Sequence, residues 1–195
     1  MRIEVQRDLD ASATAFERLA WPAIAPLIGG GRFVSLENRS DATAKLLDQQ
    51  AGFDALQIID DGSMCGLACR MQPTAHAWDT FTIRHSRKSG TITEYAKRLV
   101  AIHEKFSGYL VPRWTVQGYY NKAKGGLISV AAVNTHELMI YIYRDLQKPE
   151  ASRRTEIKPN GSDGNTFLVA SWANLADDGV PVKVWCEQWQ QRSAA

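Results

Sequence analysis

Apolar residues at Phe16, Leu19, Ala20, Ala23, Ile24 and Leu27 recur at three-and-four spacing, the signature of one helix face. Residues 9–28 are therefore expected to form a first helix, with Asp10 or Ser12 as N-cap. Pro22 and Pro26 should kink it, or end it near Ala20 and start a second short turn. The run Gly29-Gly30-Gly31 then breaks the chain, and R-F-V-S-L-E reads as a short edge strand. A second helix over 41–50, capped by Ser40 or Asp41 and closed by Gly52, leads into two strands at 53–59 and 64–72. Both are apolar on nearly every residue, as in strands covered on both faces, and Asp60-Asp61-Gly62-Ser63 turns one into the other.

Past the loop P-T-A-H-A-W-D, the segment T-F-T-I-R-H-S-R alternates and predicts a strand with one wet face. Thr91-Ile92-Thr93-Glu94 has the form of a capping box, which would start a helix over 92–106. That helix places Tyr95, Leu99, Ile102 and Phe106 inward and leaves Lys97, Arg98 and Lys105 on an outward basic face. Strands at 113–120 and 127–133 form a hairpin through Gly125-Gly126, and Asn134 or Thr135 caps a third helix. Residues 147–164, rich in charge, Ser, Pro and Gly, read as a long mobile loop before the final strands T-F-L-V-A-S-W and K-V-W-C.

With 195 residues, 45% of them hydrophobic, the chain suits a single domain built on one sizeable core. No apolar run is long enough to span a membrane and the amino terminus lacks a signal peptide's apolar core, so a cytoplasmic location is expected. Cys65, Cys69 and Cys186 cannot all pair, and none has zinc-site spacing with the four scattered histidines. The net charge of +2 hides an asymmetry, since residues 62–126 hold 10 Lys and Arg against 3 Asp and Glu. Such a segment points to a face for phosphate or another polyanion, with solvated surface charge as the alternative. Trp114, Tyr119 and Tyr120 alternate in a strand and read as core before they read as base-stacking groups. No P-loop, nucleophile elbow or dinucleotide fingerprint is present, which argues against kinase, hydrolase-elbow and dehydrogenase chemistry.

The chemistry concentrates at one end of the 53–72 hairpin. A three-residue loop at 60–62 sets Asp54 opposite Ala68, with 54, 68, 70 and 72 on one face; a two- or four-residue loop turns Arg70 away. Either register is compatible with the sequence. The element order, with Asp54 near the start of one strand and Ala68-Cys69-Arg70 on the next, resembles the PD-(D/E)XK nucleases, most closely the Holliday-junction-resolvase-like members. The likeness spans about residues 41–133 and implies an α/β, restriction-endonuclease-like mixed central β-sheet flanked by helices. It also implies a metal-dependent endodeoxyribonuclease, of a kind that suits a phage or mobile element. Asp54, Arg70, Gln72 and Glu94 would then be catalytic, with Asp54 and Glu94 binding Mg²⁺. Arg84, Arg87, Lys88, Lys97 and Arg98 would contact the backbone of nucleic acid, most simply DNA. Ala68 stands where the family has a carboxylate, and Arg70 where it has Lys. The alternatives are an inactive version of the fold that binds nucleic acid or a protein partner, and an unrelated α/β accessory protein; a homodimer is compatible with each.

Overall fold

The computed structural model describes residues 12–36, 42–47, 52–76, 78–104, 110–161 and 164–186. The proposed caps Asp10, Ser40 and Asp41, the end of the second helix at Gln50, and Lys105 and Phe106 lie outside these residues.

A helical stretch, α1 (12–28), changes character at its prolines. It runs as a π-turn at Phe16–Ala20, an α-turn at Trp21–Ile24 and a 3₁₀ turn at Ala25–Ile28. Pro22 and Pro26 cannot donate a backbone hydrogen bond, so the turns beside them widen or tighten instead of breaking. The buried stripe is Phe16, Ala20, Ile24 and Ile28, whereas Leu27, expected inward, is exposed. Gly29, at φ 99°, closes the stretch in the left-handed region. The buried Gln57 amide then donates to the Ile28 and Gly30 carbonyls at 3.1 and 2.7 Å, satisfying helix-end acceptors that would otherwise be orphaned.

A six-stranded mixed sheet is the centre of the molecule, in the order β1 (Arg32–Ser35), β2 (Ala55–Ile58), β3 (Met64–Pro73), β5 (Trp114–Asn121), β6 (Gly126–Asn134), β9 (Val182–Cys186). All neighbours are antiparallel except β3 and β5, which run parallel. The crossover between those two contains β4 (Thr80–Ser86) and helix α3 (Glu94–His103). Strand β4 leaves the central sheet and heads a second one, β4-β8-β7, with β7 at Thr155–Pro159 and β8 at Thr166–Ser171. Helices α2 (Ala42–Leu46), α4 (Thr135–Leu146) and α5 (Trp172–Asp177) complete the described elements.

The two faces of the central sheet are covered differently. Phe16, Ile24 and Ile28 of α1 pack on Leu67, Met71, Val116 and Val130. On the opposite face, Tyr119, Ala131 and Val133 meet Phe81, Ile83 and Leu168 of the second sheet together with Leu138 and Ile142 of α4. The face of β4 expected to be wet, the side that carries Thr82 and Arg84, is half-buried, with Thr82 hydrogen-bonded to Arg70 and Gln117.

Residues 147–164 are not a continuous loop. They contain a 3₁₀ turn, Glu150–Ser152, and β7, which pairs with β8. The cause is Asp145, buried at the end of α4, whose Oδ2 accepts from the Arg154 and Thr155 amides at 2.8 and 2.6 Å. An edge strand held this way needs little apolar character, and so its sequence reads as loop. Helix α5 was not expected either; Trp172, read as the end of a strand, is its first residue.

Candidate functional site

The register question is settled by the turn. Gly62 donates to the Ile59 carbonyl at 2.9 Å and takes φ 83°, Ile59 donates to Ser63, and Ala55 pairs with Leu67. This is a three-residue hairpin loop, a turn followed by a left-handed glycine. Asp61 accepts from the Ser63 amide at 2.7 Å, so it forms the turn, as its position suggested. One step beyond the Ala55 pair, the Asp54 amide donates to the Leu67 carbonyl at 2.9 Å, and the Asp54 Oδ2 accepts from the Cys69 amide at 2.6 Å.

The same face continues across β5, because the parallel register sets Ala68 beside Thr115 and Arg70 beside Gln117. Over this floor lies a cavity of about 460 Å³, lined by Asp54, Arg70, Thr115 and Gln117 of the sheet and walled by Thr82 and Arg84 of β4, Arg87 just after it, and Glu94 and Arg98 of α3. Ser12, at the start of α1, reaches it as well.

Glu94 reaches the cavity because α3 begins later than expected. Its N-cap is Thr93, whose hydroxyl accepts from the Ala96 amide and donates to the His85 carbonyl. Thr91 hydrogen-bonds Ser89 instead, so no Thr91–Glu94 capping box forms. Glu94 is the first helical residue, and Arg98, four residues on, shares its face. Arg98 is only 4% exposed, which corrects the expectation that it lies on an outward basic face.

Arg70 is fixed from two sides. Its Nη1 donates to Thr82 Oγ1 at 2.9 Å, and Thr82 in turn donates to Gln117 Oε1 at 3.1 Å. The Phe167 ring from β8 takes the Arg70 guanidinium at 5.0 Å and the Arg84 guanidinium at 5.5 Å. Two like charges are thereby held against one aromatic group.

Positive charge is in excess around the cavity, with Arg70, Arg84, Arg87 and Arg98 against Asp54 and Glu94. Burial alone would raise the Glu94 carboxyl, but Arg98, Arg70 and Arg84, with a hydrogen bond from the Arg84 backbone, hold it below the ordinary value. Arg70 is pulled below the usual guanidinium range by burial and by Arg84 and Arg98, although Glu94 and Asp54 oppose this. Among the described residues, Arg84 Nε, Arg87 Nε, Arg98 Nε and Gln117 Nε2 are buried without a hydrogen-bond partner.

Of the residues expected at a site, Asp54, Arg70, Glu94, Arg84, Arg87 and Arg98 line this cavity. Gln72 is exposed near the end of β3, Lys88 is exposed in the turn after β4, and Lys97 is half-buried on α3; these three do not line it. Thr82, Thr115, Gln117 and Phe167 were not anticipated. The one signal for the first three was alternation, since Thr82 and Arg84, and Thr115 and Gln117, occupy the polar phase of strands whose other phase is apolar.

Among the described residues no group of three or more His, Cys, Asp and Glu gathers to hold a metal ion, and no helix is long and apolar enough to cross a membrane. No family model, curated protein or solved structure matches the chain significantly.

Proposed function

We propose that the chain is a nucleic-acid-binding protein that seats a backbone phosphate in the arginine-lined cavity, on a framework resembling the core of PD-(D/E)XK nucleases. The carrying observation is convergence: four arginines from three separate stretches of chain face one cavity whose carboxylates number two. Guanidinium groups bind phosphate through paired, charge-assisted hydrogen bonds, and a walled cleft of one sign concentrates its counter-ion. The order hairpin, β4, α3, β5, with Asp54 and Arg70 on the sheet face, supports the likeness.

Mg²⁺ belongs to what that likeness implies, and the donor set fits it poorly. Asp54 and Glu94 are the candidate ligands, but one Asp54 oxygen already accepts from Cys69, Ala68 supplies no carboxylate, and the surrounding guanidiniums repel a divalent cation. In this reading the nuclease-like site binds and does not cut. Metal-dependent cleavage of DNA remains the second reading, favoured by one observation, that Asp54 and an ionised Glu94 share the cavity.

The test is incubation of the protein with supercoiled, linear and branched DNA in Mg²⁺ or Mn²⁺, with retention followed on the same samples. The expected result is retention without cleavage. Cleavage abolished in Asp54→Asn, with retention intact, would replace this reading with the metal-dependent one. Failure to retain any of the three substrates would end both.

A further inference from the structure

The cavity also carries information about which phosphate it would take. We infer that it selects a terminal phosphate, a phosphomonoester at a strand end, over the diesters inside a strand. This rests on the nucleic-acid reading above and narrows it.

Charge is the first argument. Among the described residues the cavity holds four guanidiniums and two carboxylates, an excess of two positive charges. An internal phosphodiester brings one negative charge, whereas a terminal phosphate carries about −1.5 to −2 at pH 7. The monoester matches the excess and the diester leaves it half-met.

Donor number and direction give the second. A monoester presents three acceptor oxygens, one more than a diester has free. The guanidiniums that could meet those oxygens line the cavity from three stretches of chain: Arg70 from β3, Arg84 and Arg87 from β4 and its exit, and Arg98 from α3. Each guanidinium can offer paired, charge-assisted donors to phosphate oxygens.

Size is the third. A space of about 460 Å³ is on the scale of small-molecule sites, roughly 300–1,000 Å³. It has room for a phosphate and the nucleotide attached to it, not for a duplex passing through. A strand end fits such a recess, and the rest of the strand would lie outside it.

Fluorescence anisotropy with one single-stranded oligonucleotide in three forms, 5′-phosphorylated, 3′-phosphorylated and unphosphorylated, tests this in EDTA at fixed salt. One phosphorylated form should bind at least about tenfold more tightly than the unphosphorylated one, as an added charge-assisted hydrogen bond gives. Inorganic phosphate should compete for that advantage. Between pH 7.5 and pH 5.0 the advantage should shrink, because the monoester's second pKa is about 6. The groups facing the ligand are Arg70, Arg84, Arg87, Arg98, Asp54, Glu94 and Cys69; the unphosphorylated oligonucleotide at each pH controls for their own titration. Arg87→Gln should remove most of the advantage, while Lys183→Gln, exposed on the edge strand β9, should leave it intact. Equal affinity for all three forms would overturn the inference and leave the nucleic-acid reading standing. No binding of any form would overturn both.

Discussion

Glu94 and Phe167 show how little a residue's type says about its place. Glu94 reads as a helix-capping residue because Thr91 stands three positions before it; the structure gives the cap to Thr93 and turns the carboxylate toward three arginines. Its carboxyl is lower in the folded state than the ordinary value of 4.5, so the unfolded chain takes up a proton first as pH falls. The stability this group contributes is therefore complete above that ordinary value and is lost as pH drops through the lower folded value. Denaturation at a series of pH values should show a wild-type decline below about pH 4.5 that is shallower in Glu94→Gln. Phe167 carries no polar group at all, and nothing in its sequence neighbourhood marks it as part of a charged site. Contact with two guanidiniums is worth about 0.5–1 kcal/mol for each exposed pair and about 2 when desolvated. Phe167→Leu should weaken binding of an oligonucleotide several-fold and lower the unfolding midpoint by a few degrees, whereas Phe167→Trp should keep both near wild type. Asp54 and Arg70 were legible as candidates, but the sequence left open whether they share a face, which the hairpin loop decides; Phe167 arrives from β8, nearly a hundred residues beyond Arg70, and only pairing with β4 brings it there.

Two devices at the scale of single elements set the site's geometry. The first is the start of α3. Thr93→Ala removes the hydroxyl that accepts from Ala96 and should cost about 1 kcal/mol in chemical denaturation, as lost N-caps do. Thr91→Ala should change stability by no more than a few tenths, the reverse of what a Thr91 capping box would give. The second is the hairpin turn. Gly62 at φ 83° has open space where a side chain would go, so Gly62→Ala meets no clash and pays only the left-handed backbone penalty, about 1–2 kcal/mol. Gly62→Asn should cost less. A larger loss, or an altered register in nuclear magnetic resonance contacts between Ala55 and Leu67, would show that the loop length is not held by this residue. Elements with strong local signals, such as β4, α3 and the β5–β6 hairpin, were legible within a few residues of their ends. Strand β7 was not, because an edge strand with Glu156, Lys158 and Pro159 owes its place to Asp145 of α4 and not to its own pattern.

Across the whole molecule, the site exists because the chain between β3 and β5 leaves the central sheet. Strand β4 carries Thr82 and Arg84 out to the second sheet, and α3 returns with Glu94 and Arg98, so a space opens over the sheet face between Arg70 and Gln117. The sequence predicted these elements and their order, but not the division into two sheets. Sheet membership depends on pairing between β4 and β8, more than eighty residues apart, and local alternation carries no information about partners. The basic middle segment was likewise legible as a charge excess. What composition could not convey is that four of its arginines turn inward on one cavity while Lys88 stays on the surface.

The salt dependence of nucleic-acid binding tests the assignment of this cavity to phosphate most directly. Anisotropy of a single-stranded oligonucleotide, measured from low to moderate salt, should give a linear fall of log affinity with log salt. If the four cavity arginines together neutralise the single phosphate seated there, the cavity should contribute about −0.7 to the slope. In Arg84→Gln/Arg87→Gln most of that contribution should be lost, with affinity reduced at every salt concentration. A weak, salt-independent response in the wild type, or a slope that the double variant leaves unchanged, would contradict the assignment of this cavity to phosphate.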